Sequence, residues 1–136
     1  MSEQDVQEGR FPRGPRVYDY WLGGTRHFPV DQAVGEQVVA FLPEIRDSVR
    51  GNRRFLARAV GFLRDAGIRQ FQVNTGLAER SGTPLIPRGR DAIARMFNGH
   101  DLINPGLVLV SWWRPQDGDP GPDADRAWVY GGVAAL

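Results

Sequence analysis

Gly67-Ile-Arg-Gln-Phe-Gln-Val-Asn-Thr-Gly-Leu-Ala-Glu-Arg-Ser-Gly-Thr-Pro84 is the stretch on which the reading of this 136-residue chain turns. A long amphipathic helical pattern runs into it, and a segment of different texture leaves it. Short apolar residues after a helix, followed by Thr75-Gly76, are how a first strand and its ligand loop begin in a nucleotide-binding α/β domain. The strand–helix alternation then stops. The stretch reads as a seam at which the middle of a larger fold is missing.

Upstream of the seam, Ile45, Val49, Leu56, Ala59, Val60 and Leu63 recur at spacings of three and four between Pro43 and Ala66. This is the strongest helical period in the chain. Arg46, Arg50, Arg53, Arg54 and Arg64 mostly fall off that face, a solvated surface partly offset by Asp47 and Asp65. Gly67 supplies the stop. A preceding helix is expected from about Gln32 to Leu42, with Asp31 as its N-cap and Val34, Val38 and Phe41 on one face. Before it, Arg16-Val-Tyr-Asp-Tyr-Trp-Leu-Gly-Gly predicts a short helix in which Val17, Tyr20, Trp21 and Leu22 share much of one face. Gly23-Gly24 ends it, because glycine takes positive φ without strain. Tyr18 and Asp19 project elsewhere. Such a polar-aromatic cluster reads either as a packing segment with satisfied hydroxyls or as a wall over a ligand pocket. Residues 1–10 are polar and aperiodic, a disordered tail by expectation.

Downstream, Gly82 to Gly89 is a loop with two prolines. A short helix is expected over Arg90–Phe97, with Ile93, Ala94 and Phe97 inward. Leu107 to Trp113 reads as a buried strand and Ala127 to Ala135 as a last strand. The irregular loop Gln116–Asp125 between them makes antiparallel pairing the simplest arrangement. Gly131-Gly132 marks a bulge or a close backbone approach. Trp112, Trp113 and Trp128 are expected on an exposed face that favours self-association.

Composition narrows the chemistry. Hydrophobic content is 41% and charged content 24%, ordinary for a globular domain. A net charge of +1 gives no global field for nucleic acid or membrane surfaces. There are no cysteines, so thiol chemistry, disulfides and cysteine zinc sites are excluded. All 17 basic residues are arginine, which removes Schiff-base and P-loop lysine chemistry. The polar, acidic first residues carry no signal-peptide pattern, and a cytoplasmic setting is expected. His27 and His100 read as surface loop residues. Ser48, Ser81 and Ser111 lack a nucleophile-elbow context. The residues alone support a mixed α/β or α+β domain and no particular reaction.

Three blocks resemble one family, the actinobacterial S-adenosylmethionine-dependent methyltransferases once catalogued as a domain of unknown function. Arg16-Val-Tyr-Asp-Tyr-Trp-Leu-Gly-Gly, with Asp31 downstream, is similar to the family's opening signature. Asn52-Arg-Arg-Phe-Leu-Ala-Arg-Ala-Val and Gly67-Ile-Arg-Gln-Phe are similar to its following helix and first strand. Pro87-Arg-Gly-Arg-Asp-Ala-Ile-Ala-Arg-Met-Phe-Asn-Gly, Pro105-Gly-Leu-Val, Trp113-Arg-Pro and Tyr130-Gly-Gly-Val-Ala are similar to its C-terminal helix and strands. Together they cover most of residues 11–136.

The resemblance implies an internally shortened remnant of a Rossmann-like class I methyltransferase fold. N-terminal helices and a small, largely antiparallel C-terminal sheet form one domain over 11–136, with the seam near 71–90. In the family the first strand continues into an acidic residue and a glycine loop that cradles the cofactor. Here Phe71 is followed by Gln72-Val-Asn-Thr-Gly. Thr75-Gly76-Leu77 reads either as a remnant of that loop or, with the residues from Gln72 on, as part of what precedes the C-terminal block. The cofactor implied is S-adenosylmethionine, with Tyr18, Asp19, Tyr20, Gly23, Gly24 and Gly76 as candidate binding residues and no metal. Impaired catalysis is expected, the alternative being a non-enzymatic interaction or dimerisation module. The expected partners are a second copy or a full-length relative, not nucleic acid or membrane.

Overall fold

The computed structural model describes residues 9–70, 89–122, 124–126 and 128–135. Three helices lead: α1 (Gly14–Trp21), α2 (Pro29–Phe41) and α3 (Ile45–Asp65). A short α4 (Arg90–Ala94) runs into a 3-10 turn, Arg95–Phe97. Four two-residue strands follow: β1 (Asp101–Leu102), β2 (Val108–Leu109), β3 (Tyr130–Gly131) and β4 (Ala134–Ala135). They pair antiparallel into two separate sheets, β1 with β4 and β2 with β3. The fold is thus mixed α/β, with helices first and small antiparallel sheets last.

The helix ends follow from local chemistry. Proline stands in the first turn of α1 and of α2, where a missing N–H costs no intrahelical bond. Gly23 and Gly67, both at φ 79°, close α1 and α3. α1 buries Val17 and Trp21, one turn apart, against Val49 of α3, with Leu22, Val34, Val38 and Ile45 packed around them. The Trp21 indole N–H donates to the Gly35 carbonyl at 3.1 Å. A Cβ at Gly35 would lie 2.7 Å from the Tyr20 ring, so glycine is what lets α2 come this close to α1.

A second core joins α3 to the C-terminal third. Trp113 is fully buried, with its ring edge-on to Phe55 and Phe62 at centroid distances of 5.4 and 5.9 Å. Arg58 reaches in from the same helix. Its Nε donates to the Trp113 carbonyl at 2.9 Å and its Nη2 to the Val110 carbonyl at 2.6 Å. Burial, with Arg54 nearby, lowers the Arg58 pKa, but a guanidinium keeps its charge in proteins. A Cβ on Gly131 would sit 2.9 Å from both Phe55 and Val110, the close backbone approach that the glycine pair implied.

Several expectations need correction. α2 begins at Pro29, so Asp31 lies inside its first turn and not at the N-cap. The expected strand from Leu107 to Trp113 is cut to two residues, because Val110–Trp112 form a 3-10 turn. The Arg58 guanidinium takes the Val110 and Trp113 carbonyls that a longer ladder would have used. The expected last strand is broken at Gly132-Val133, where the chain changes partner from β2 to β1. Trp113 does not share the exposed face: it is 0% exposed, against 47% for Trp112 and 60% for Trp128. Of the first strand expected after Gly67, residues 68–70 are not strand, and the stretch from 71 on lies outside the described residues.

Trp113→Ala should therefore lower unfolding stability by about 3–5 kcal/mol, and Gly131→Ala by about 1–3 kcal/mol through overpacking. Urea denaturation followed by circular dichroism measures both. Equal, small losses would contradict this placement of the second core.

Candidate functional site

The expected site residues gather around the end of α1, the loop after it and the start of α2. Tyr18, Asp19 and Tyr20 lie in the last turns of α1, and Gly23 and Gly24 follow directly. Gly76 lies outside the described residues.

Asp19 organises the loop. Its Oδ2 accepts the Arg26 backbone N–H at 2.8 Å and faces His27 Nδ1 at 3.2 Å. Gly24 N donates to the Asp19 carbonyl at 2.9 Å. A Cβ at Gly24 would fall 2.1 Å from Asp19 Oδ1, so only glycine leaves room for the carboxylate here. His27 Nε2 lies 2.9 Å from Gln32 Nε2. An amide nitrogen can only donate, so Nε2 accepts and the Nδ1–H points at Asp19. The imidazole also meets the Tyr20 ring edge-on at 5.1 Å.

Tyr20 and Tyr18 reach the other two helices. The Tyr20 hydroxyl donates to Glu36 of α2, and Arg46 Nη2 of α3 binds the same Glu36 oxygen at 2.6 Å. The Glu36 hydrogen bond, then burial, push the Tyr20 pKa up and keep the phenol protonated. The Tyr18 hydroxyl donates to the Val49 carbonyl at 3.4 Å and accepts from Asn52 Nδ2 at 3.1 Å. Arg53 lies over the Tyr18 ring at 5.4 Å.

Behind this cluster sits Asp31, a fully buried carboxylate. It accepts the backbone N–H of Arg13 at 2.9 Å and of Phe28 at 2.8 Å, and the Nε–H of Arg16 at 2.8 Å. Burial by itself would raise its pKa. The Phe28, Arg13 and Arg16 hydrogen bonds and the Arg16 charge outweigh burial and hold the carboxyl below its usual range.

The chemistry of this arrangement is that of a joint. Tyr18, Asp19 and Tyr20 direct their polar atoms to protein partners. As arranged, the Tyr18 and Tyr20 hydroxyls and Asp19 Oδ2 are engaged within the protein. The sequence did not place His27, Gln32, Glu36, Arg46 or Asn52 at this site. His27 reads there as a surface residue, yet its side chain is 12% exposed, whereas His100 is exposed as expected. The one available signal was Asp19 and His27 bracketing a glycine pair. Among the described residues no group of three or more His, Cys, Asp or Glu could hold a metal. No described helix is long and apolar enough to cross a membrane.

The family model for S-adenosyl methyltransferases matches residues 2–81 and 72–136. The chain belongs to the S-adenosyl methyltransferase family. A crystal structure of a DUF574-family protein from Streptomyces avermitilis is similar to this methyltransferase-family chain, with TM-score 0.76 and 16% identity. The similarity covers 93% of this chain and 98% of that one, and at such identity it speaks for the fold alone. No curated protein matches the chain.

Two outcomes follow for this methyltransferase-family chain. A depressed folded-state pKa means that the Asp31 contribution is complete above the unfolded carboxyl value of about 4 and is lost as pH falls through the lower folded value. Asp31→Asn should cost about 2–3 kcal/mol at neutral pH and flatten the acid limb of the stability profile. Denaturant titrations from neutral to acid pH test this, and an unchanged acid limb would refute it. Gly24→Ala should displace the Asp19 carboxylate, read as a shifted His27 ring resonance in NMR.

Proposed function

We propose that this chain is a methyltransferase-family protein that does not turn over its cofactor, because the strands that would floor the S-adenosylmethionine pocket are missing from its middle. Rossmann-like folds hold their ligand across the carboxyl ends of adjacent parallel strands. The observation that carries the reading is a length. Only residues 66–89 separate α3 from α4. One strand–helix–strand unit takes about 30 residues or more, and a parallel pair needs a crossover of a dozen or more. The interval is too short for the several units that the resemblance calls for. All strand pairs among the described residues are antiparallel and lie after α4.

Methyl transfer requires the sulfonium methyl and its acceptor to be held about 3 Å apart in line. Without a floor, Tyr18, Asp19, Tyr20, Gly23 and Gly24 make at most weak contact with the cofactor, since they are engaged in holding α1, α2 and α3 together. The exposed Trp112 and Trp128 favour a second reading, a non-enzymatic interaction module.

Calorimetric titration with S-adenosylmethionine and with S-adenosylhomocysteine tests the first reading. The expected result is no saturable heat and no rise in melting temperature at millimolar ligand. Ligand at about 100 times its Kd would add about 2.7 kcal/mol, a shift of several degrees. Saturable micromolar binding would overturn the proposal.

A further inference from the structure

The chain is almost neutral, yet its charges are segregated. Arg50, Arg53 and Arg54 stand exposed on α3, and none forms an ion pair among the described residues. Arg53 covers the Tyr18 ring and Arg54 Nε donates to the Arg50 carbonyl. Asp47, on the same helix, pairs with none of them. Like charges three and four residues apart on a helix repel, so the face costs stability where it stands alone. Toward the other end of the sequence, Gln116–Asp125 carries four aspartates between Arg114 and Arg126. Its described aspartates, Asp117, Asp119 and Asp125, are all exposed.

The acidic loop is shaped and has an apolar rim. Asp119 Oδ1 accepts the Gly121 N–H at 2.8 Å. Asp125 Oδ1 accepts the indole N–H of Trp112 at 3.0 Å, so an exposed tryptophan is fixed beside the aspartates. Arginine binds carboxylates through a planar fork and stacks on indole faces, so one arginine cluster can satisfy both features. A net charge of +1 offers no field to draw in a polyanion. Two opposite patches on one nearly neutral chain instead attract a second copy.

The geometry points to a homodimer in which Asp117, Asp119 and Asp125 of each copy, with Trp112, seat on Arg50, Arg53 and Arg54 of the other. The contact is reciprocal, so a two-fold arrangement closes it without leaving a free patch to propagate a fibre. This inference rests on the interaction-module reading and not on the cofactor. A chain that proved monomeric would leave the cofactor reading untouched, and a chain that bound cofactor would leave the dimer untouched.

Size-exclusion chromatography with light scattering tests it on the full chain at low and high salt. Screening lengths are about 10 Å at 0.1 M and about 3 Å at 1 M salt, so exposed pairs weaken steeply between these. A dimer is expected at low salt and a monomer near 1 M. Arg50→Glu with Arg54→Glu should be monomeric at low salt, as should Asp117→Arg with Asp119→Arg. An equimolar mixture of the two should recover the dimer, since each faulty patch then meets its complement. The milder pair Asp117→Asn and Asp119→Asn, which suits a left-handed Asp117, should also weaken the dimer and guards against a misfolded loop. Circular dichroism confirms that each variant is folded. A monomer at low salt, a dimer indifferent to salt and charge reversal, or a failed mixture would each overturn the inference.

Discussion

The contact on which the rest of the structure depends is the insertion of Trp113 against α3. One helix supplies both halves of the grip. Phe55 and Phe62 take the indole edge-on, and Arg58 between them takes the carbonyls of Val110 and Trp113. The apolar term is large because the whole side chain leaves water. The guanidinium term is directional and satisfies backbone carbonyls that would otherwise be buried without donors. Strands of two residues cannot hold a sheet by themselves. The C-terminal third is therefore organised by what it packs against more than by its own ladders. One flaw accompanies this grip: the Trp113 indole nitrogen is buried and has no hydrogen-bond partner among the described residues.

The N-terminal third follows a different logic. Its apolar cluster around Val17, Trp21 and Val49 is tied together by a buried carboxylate. Asp31 gathers the backbone ahead of α1, the backbone ahead of α2 and the Arg16 side chain at one point. A charge is tolerated there because each contact is a donor aimed at it. The two tyrosines continue the pattern outward, Tyr18 toward α3 and Tyr20 toward the Glu36–Arg46 pair. A segment that resembles a ligand-binding signature thus serves as a three-helix joint. The two roles are compatible in a larger fold, where a joint can also form a wall.

Fold and function part company here. Family membership follows from residues spread along the chain, and the likeness to the Streptomyces avermitilis protein concerns architecture. Activity depends on a local constellation of residues, which a likeness of fold does not by itself carry. The arginines exposed on α3 and the aspartates exposed in the acidic loop are properties of the surface and need no pocket.

Local chemistry made the helices legible. The period of three and four from Ile45 to Leu63 and the glycines after Trp21 and Asp65 fix their positions within a few residues, because helix ends are set by backbone groups near in sequence. The antiparallel pairing of the last segments and the tight approach at Gly131 could be read for the same reason. Alternation along the strands could not be trusted, since Arg58, more than 50 residues away, takes the carbonyls that a ladder would use. Of three tryptophans that look alike in the sequence, only packing against Phe55 and Phe62 decides that Trp113 goes in while Trp112 and Trp128 stay out. The sequence also marks Asp31, Tyr18 and Tyr20 as polar residues among apolar ones. Whether such groups meet a ligand or one another depends on which helices lie within hydrogen-bond reach, and that is settled only when the chain folds.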